Sequence, residues 1–330
     1  MIMLSRALNF ITHKIHELPV LVIMPHSSCN CRCVMCDIWK ANSEKRELAT
    51  EEIERHLGSF EKLNVREVVL SGGEPLMHDN LWKLCTMLRS RGIKVTLLST
   101  GLLLKRYASE VLKNVDEVIV SLDGSKDVHN RIRNIPQAFE KLAEGVHAIQ
   151  GVRVTGRCVL QSLNYRDFGN IIEAAKGIGL QQVSFLAADV SSAAFNHKGP
   201  ADGVALSLPE AREFQQIIES SFGRFEGDYI SKFIAESPEK MRKLAKYYLA
   251  MAGEGSFEAP ACNAPWVSAV LESDGRLMPC FFHNAYGNVS RKNFEQVLNS
   301  VEAIEFRRNL KVEKNEVCRK CVCALKLSII

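Results

Sequence analysis

Nowhere in the 330 residues does an apolar run reach the ~18 uninterrupted positions that a membrane-crossing helix needs. The opening segment also lacks the charged start, apolar stretch and small-residue cleavage site of a secretory leader. Neither sign of charge dominates: 42 Lys and Arg against 38 Asp and Glu leave a formal net charge of +4, which argues against a dedicated polyanion binder. The interleaving of basic and aromatic residues expected of a nucleic-acid surface is missing too. What the chain does have is an ordinary globular composition, 46% hydrophobic and 24% charged, which excludes a disordered or collagen-like polymer. These absences predict a cytoplasmic protein with no transmembrane segment and no nucleic-acid partner. At roughly 150 residues per domain, the length allows one large domain with an appendage, or two moderate ones.

Cysteine is the exception to this plainness. There are 11, and an odd count without an export signal points to metal or catalysis before a disulfide framework. Cys29, Cys31, Cys33 and Cys36 form one group; Cys262, Cys280, Cys318, Cys321 and Cys323 form another. Cys85 and Cys158 stand alone between them and read as buried core residues.

Short β-branched runs alternate with longer helical periods through the first half of the chain, the pattern of successive βα units. Strands are predicted at 20–24, 67–71, 94–99, 117–121, 153–160 and 182–186, several too apolar to leave a face exposed. Helices fit 51–60, 81–91, 107–114, 135–149 and 165–178, with Thr50 placed as an N-cap before Glu51 and Glu52. The expected fold is α/β, a partial (β/α)6 barrel or an open doubly wound sheet, with the site at the strand C-termini. Residues 1–19 read as an N-terminal helix, with Leu4, Leu8, Ile11 and Ile15 on one stripe plugging an end of the sheet. Residues 20–186 form the core, 187–260 a helical insertion, and 261–330 a small cysteine-rich α+β unit built on a hairpin turning at Asp274-Gly275.

Cys29, Cys33 and Cys36 give C-x3-C-x2-C on the loop after the first strand. Three thiolates on a cubane leave one iron free for a small molecule, whereas zinc usually takes four ligands from paired knuckles. Gly72-Gly73-Glu74-Pro75 follows the second strand, Ser99-Thr100-Gly101 the third, and Ser121-Leu122-Asp123-Gly124 with His129 and Arg133 the fourth. In this order and spacing the segment resembles the radical S-adenosylmethionine superfamily, with Met35 where an aromatic is common. The resemblance implies a 4Fe-4S cluster on Cys29, Cys33 and Cys36 that binds S-adenosylmethionine and cleaves it reductively to a 5′-deoxyadenosyl radical. It places Gly72, Gly73 and Glu74 near the methionine ammonium, Ser99, Ser121 and Asp123 at the ribose or carboxylate region, and Arg133 opposite the methionine carboxylate. A flavodoxin- or ferredoxin-type reductant is implied as partner.

Cys262, Cys280, Cys318 and Cys321 give C-x17-C and then C-x2-C. By spacing alone this suits either a structural zinc or a fully ligated 4Fe-4S cluster. With Gly275 ahead of Cys280, it is similar to the auxiliary-cluster region called SPASM or, when shortened, twitch. Five cysteines rather than seven imply one auxiliary 4Fe-4S cluster, with Cys321 or Cys323 as the last ligand. The function implied is hydrogen-atom abstraction from a small-molecule substrate, the auxiliary cluster accepting an electron in a dehydrogenase-type reaction. A peptide-modifying SPASM maturase is the alternative within the family. A non-catalytic iron–sulfur electron carrier and a zinc-stapled binding module are the alternatives outside it. Asp189, His197, Lys198, Tyr229 and Trp266 are available for substrate contacts, and nothing in the sequence selects among them.

Overall fold

A computed structural model describes residues 2–192, 194 and 203–329. His197 and Lys198 lie outside the described residues. Among the described residues nine strands form one sheet: β1 (Val20–Ile23), β2 (Glu67–Leu70), β3 (Lys94–Ser99), β4 (Glu117–Ser121), β5 (Arg153–Leu160), β6 (Val183–Ala187), β7 (Ser268–Leu271), β8 (Arg276–Met278) and β9 (Gly287–Asn288). Their order is β6-β5-β4-β3-β2-β1-β7-β8-β9, and the sheet is not closed. The first six strands run parallel, each beside its predecessor, so the partial-barrel expectation holds. Val68, Leu70, Val95, Leu97, Val118 and Val120 are buried, because helices cover the sheet and parallel strands are apolar for that reason.

Helices Leu81–Arg89, Ala108–Asn114, Ala138–Ala148 and Phe168–Gly177 fill the crossovers within a few residues of expectation. The helix expected at 51–60 is instead two short ones, Thr50–Glu54 and Leu57–Lys62, broken around His56. Thr50 lies inside the first of these, not at its cap; its hydroxyl bonds Glu51 Oε1 at 3.0 Å. Beyond β6, helices Leu208–Arg224 and Pro238–Met251 pack on each other, the first closed by a Ser207/Glu210 capping box. The N-terminal helix Ile2–Thr12 docks on the segment ahead of β7: Asn9 Nδ2 donates to the Trp266 carbonyl at 2.8 Å, and Phe10 stacks on Trp266.

The C-terminal hairpin belongs to the same sheet. β7 pairs parallel with β1 from Val20↔Ser268 to Ile23↔Leu271, and β8 returns antiparallel. Gly275 turns the chain at φ +82°, and a Cβ there would meet Ser290 Oγ at 2.4 Å and Asn288 Oδ1 at 2.8 Å, so the turn requires glycine.

Candidate active site

The loop leaving β1 carries the first cysteines, and a histidine folds it. His26 Nδ1 accepts from the Ser28 amide at 2.9 Å, and its Nε2 meets the Glu74 carbonyl at 2.7 Å. The Glu74 amide in turn donates to the Ser28 carbonyl at 2.9 Å. A Cβ on Gly73 would lie 1.9 Å from that Ser28 oxygen. The Gly72-Gly73 step after β2 is therefore tight because the cysteine loop packs on it. Asn42 clamps Cys29 from the other side, accepting from its amide and donating to its carbonyl, both at 2.9 Å.

Cys31 is buried, Cys33 nearly so, and Cys29 and Cys36 are half-buried. Burial pushes the Cys29 thiol up to about 12 and the Cys36 thiol up to about 11, whereas Cys33 is drawn down to about 6 by hydrogen bonding from Cys31 and by the Arg133 charge. Arg133 Nη1 lies 3.5 Å from Cys33 Sγ. Its Nη2 pairs with Asp123 Oδ2 at 2.5 Å, and Asp123 Oδ1 accepts from the Val159 amide at 2.9 Å. His129 Nδ1 accepts from the Asp123 amide; burial, reinforced by Arg133, lowers its pKa to about 3, so this imidazole is neutral.

Glu74 is fully buried at the top of the sheet. Its carboxylate accepts from the Leu76 amide at 3.1 Å, Ser99 Oγ at 3.0 Å, the Thr100 amide at 2.7 Å and Thr100 Oγ1 at 2.6 Å. Burial pushes its pKa up, against the pull of those donors. Four of the sequence-predicted contact residues, Glu74, Ser99, Asp123 and Arg133, thus form a buried frame that joins strand ends to the cysteine loop. Gly72 and Gly73 line an open cavity, and Ser121 ends β4 beside Arg157 of β5 in register.

Two side-chain amides have buried atoms without a protein partner among the described residues, although Asn30 Oδ1 accepts from Thr100 Oγ1 at 3.0 Å. Asn30 Nδ2 and both side-chain heteroatoms of Gln161 are buried without a hydrogen bond. Such groups are costly unless a bound polar molecule meets them. Together with three thiols on one loop, they fit an iron–sulfur cluster with a polar ligand beside it. No three His, Cys, Asp or Glu side chains among the described residues converge as they would around a single metal ion.

The second cysteine set lies together: Cys262, Cys280, Cys318, Cys321 and Cys323 line one small cavity. Burial pushes Cys280 up to about 11 and Cys318 up to about 12, and raises Cys323 as well. His283 was not singled out by the sequence, yet its Nε2 lies 3.3 Å from Cys318 Sγ; the only signal was its place three residues after Cys280. Phe282 and His283 also border a larger cavity of about 440 Å³, whose other walls are Ser27 and Ile38 of the first cysteine loop, Gly72-Gly73 and the hairpin turn. Of the other polar candidates, Asp189 is buried and held by Ser191, Tyr229 meets Ser221, and Trp266 packs on the N-terminal helix. None of these three borders that cavity.

Comparison with known proteins agrees with this arrangement. Residues 23–175 match the model of the radical SAM superfamily, and residues 262–322 match SPASM, an iron-sulfur cluster-binding domain. An Fe-coproporphyrin III synthase of Methanosarcina barkeri is 26% identical over 304 residues, covering 84% of this chain and 73% of that protein. Among solved structures, Streptococcus suis SuiB bound to precursor peptide SuiA superposes with a TM-score of 0.67 at 14% identity, over 97% of this chain and 74% of SuiB. The anSMEcpe protein with bound AdoMet and Cp18Cys peptide gives 0.66 at 20% identity, over 92% of this chain and 87% of that one. No helix among the described residues is long and apolar enough to cross a membrane. With the cysteine loop on β1, the glycine step on β2 and a second cysteine set behind the hairpin, the chain belongs to the radical SAM superfamily, whose members pair a 4Fe-4S cluster with S-adenosylmethionine, and it carries a C-terminal SPASM-type iron–sulfur domain.

Proposed function

We propose that the chain oxidises a small organic molecule by hydrogen-atom abstraction, with Cys29, Cys33 and Cys36 holding the cluster that binds S-adenosylmethionine, and Cys262, Cys280, Cys318 and Cys321 holding an auxiliary 4Fe-4S cluster. When bound, these groups supply a 5′-deoxyadenosyl radical that takes the hydrogen atom and an acceptor for the substrate electron that follows. The chain's own part is positioning. Gly72 and Gly73 border the cavity beside the cysteine loop, and Ser121 stands at the end of β4. Glu74, Ser99, Asp123 and Arg133 hold the loop and strand ends in register, and Arg133 donates toward Cys33. An external flavodoxin- or ferredoxin-type protein supplies the electron.

The observation that carries this reading is the cavity of about 440 Å³. It is in the size range of small-molecule sites, roughly 300–1,000 Å³. Its walls come from residues flanking the first cysteine loop and from the residues after Cys280, so a molecule within it touches the segments that carry both cysteine sets. An electron carrier without chemistry has no use for such a chamber. The likeness to a synthase of a small-molecule product over most of the chain supports a small-molecule substrate over a peptide.

The test is anaerobic iron and sulfide analysis of reconstituted protein, wild type beside a Cys29→Ala, Cys33→Ala, Cys36→Ala triple variant, with dithionite and S-adenosylmethionine added to each. About eight irons falling to about four, with 5′-deoxyadenosine formed only by the wild type, is the expected result. Zinc in place of the second four irons removes the electron-accepting role. An iron-replete wild type that forms no 5′-deoxyadenosine refutes the enzyme reading.

A further inference from the structure

A second cavity, of about 200 Å³, is lined by Cys321 and Cys323 and shares no lining residue with the chamber beside Gly72-Gly73. Its floor is the exposed end of the open sheet, Arg157 of β5 with Ser184 and Leu186 of β6. Helix Pro238–Met251 forms one wall, and the C-terminal stretch through Arg319, Cys321 and Cys323 the other. The charges around it are uneven. Arg157, Lys240, Lys243, Lys246 and Arg319 are set against Glu236 and Glu258.

The pairing within this set is the informative part. Each lysine already has a carboxylate: Lys240 meets Glu236 at 3.3 Å, Lys243 meets Glu239 at 3.0 Å, and Lys246 meets Glu258 at 2.7 Å. Glu236, itself buried, also accepts from the Phe185 amide at 2.8 Å, so its charge is spoken for. Among the described residues the two arginines have none: Arg157 Nε reaches only Ser184 Oγ, at 3.4 Å, and Arg319 Nη2 only the Phe257 carbonyl, at 3.3 Å. Both are half-buried. A guanidinium withdrawn from water without a counter-charge is unfavourable, and its fork matches a carboxylate or phosphate better than any neutral group.

We propose that this cavity is an anion-binding site, in which Arg157 from the strand floor and Arg319 from the C-terminal wall hold a carboxylate or phosphate group of a small molecule beside Cys321 and Cys323. The site stands apart from the chamber beside Gly72-Gly73, and the proposal goes beyond the radical reading, since anion binding needs neither S-adenosylmethionine nor turnover.

The experiment is isothermal titration of the anaerobically reconstituted protein with succinate, with inorganic phosphate, and with succinamide as the uncharged match for succinate. Saturable binding of succinate or phosphate but not of succinamide is expected, and the tighter of the two anions assigns the class. Arg157→Gln and Arg319→Gln each weaken it about tenfold or more, equivalent to ~1.4 kcal/mol, and Arg157→Lys keeps part of it. Iron per chain stays at the wild-type value in all three variants. Failure of both anions to bind the wild type, equal binding of succinamide, or unchanged affinity in both glutamine variants overturns the proposal. So does loss of iron from Arg157→Gln, which makes Arg157 the counter-charge of the cluster beside Cys323. Should Arg157→Gln fail to fold, Arg319→Gln carries the same test. An absence of 5′-deoxyadenosine with intact anion binding would refute the radical reading and leave this site standing.

Discussion

Replacing Arg133 by methionine removes a charge from the most enclosed ion pair among the described residues and sets a stability loss whose size can be worked out. Asp123 is fully buried and Arg133 is 7% exposed; their contact is 2.5 Å, and beyond it Asp123 has the Val159 amide as donor. Burial already pushes the Asp123 carboxyl up, with Arg133 pulling the other way. Breaking such a pair from one side costs ~3–5 kcal/mol, because it leaves a buried charge uncompensated. The carboxylate can escape by taking a proton, which caps the cost. Protonating a group of unfolded pKa ~3.9 at pH 7 costs about 4 kcal/mol, and about 1.5 kcal/mol at pH 5. In the variant the folded pKa is raised, so the penalty is absent below about 3.9 and grows as pH rises toward the folded value. The expected loss for Arg133→Met is therefore about 4 kcal/mol at pH 7, shrinking by more than half at pH 5, a large part of a total stability of ~5–15 kcal/mol. The double variant Asp123→Asn, Arg133→Met removes both charges and should recover most of it. Urea unfolding of reconstituted protein with matched iron content, at both pH values, measures all three. A loss below about 1 kcal/mol at pH 7, or a double variant no better than the single, refutes the buried-pair argument.

Gly73→Ala places a methyl 1.9 Å from the Ser28 carbonyl and must displace the loop holding Cys29; iron analysis should show the loss of about four of eight irons with the circular dichroism of the sheet retained. His129 stays neutral when folded, with a pKa of about 3, so its stabilising contribution is complete above about 6.5 and is lost as pH falls through that window. At pH 5 the loss is about 2 kcal/mol, and thermal or urea unfolding of His129→Asn should show a correspondingly shallower decline between pH 6.5 and 5, whereas an unchanged slope would refute the assignment. Cys85→Ala and Cys158→Ala, both in the hydrophobic core, should keep full iron and lose stability through small cavities, while Cys280→Ser should drop iron by about four per chain.

The six parallel strands were legible because each is a short apolar run, and all six begin and end within one residue of expectation. The last three were only partly so. Ser268–Leu271 is four residues with no alternation, buried at every position, and only the register with β1 makes it a strand of the main sheet. The break at His56 was hidden because Thr50 to Lys62 keeps its helical period across it. At the site, spacing along the chain exposed both cysteine sets and the glycine step. The groups that hold them did not announce themselves, since their partners are remote: Arg133 and Cys33 are 100 residues apart, His283 and Cys318 are 35, and Glu74 and Thr100 are 26. The family resemblance implied Glu74, Asp123 and Arg133 as ligand contacts, and a carboxylate or guanidinium serves a buried frame as readily as a ligand. Only the partner tells the two apart.

The placement of β7 also decides how the two cysteine sets are held relative to each other. β1 lies between β2 and β7, and adjacent strands are about 4.8 Å apart. The cysteine loop leaves β1, the Gly72-Gly73 step leaves β2, and the hairpin leading to Cys280 leaves β7, so three strand ends within roughly 10 Å launch the walls of one chamber. Backbone hydrogen bonds, rather than a linker, fix that spacing. β1 spends the bonding groups of one edge on β7; cutting the chain before β7 would turn β1 into an unpaired edge and strip the buried Leu21 and Ile23 of their neighbours Ala269 and Leu271. A domain that completes the central sheet cannot swing on a hinge to vary the distance between the two sets. Any change in the shape of the chamber must therefore come from walls outside these paired strands, such as the loop through Ile38 and Ala41.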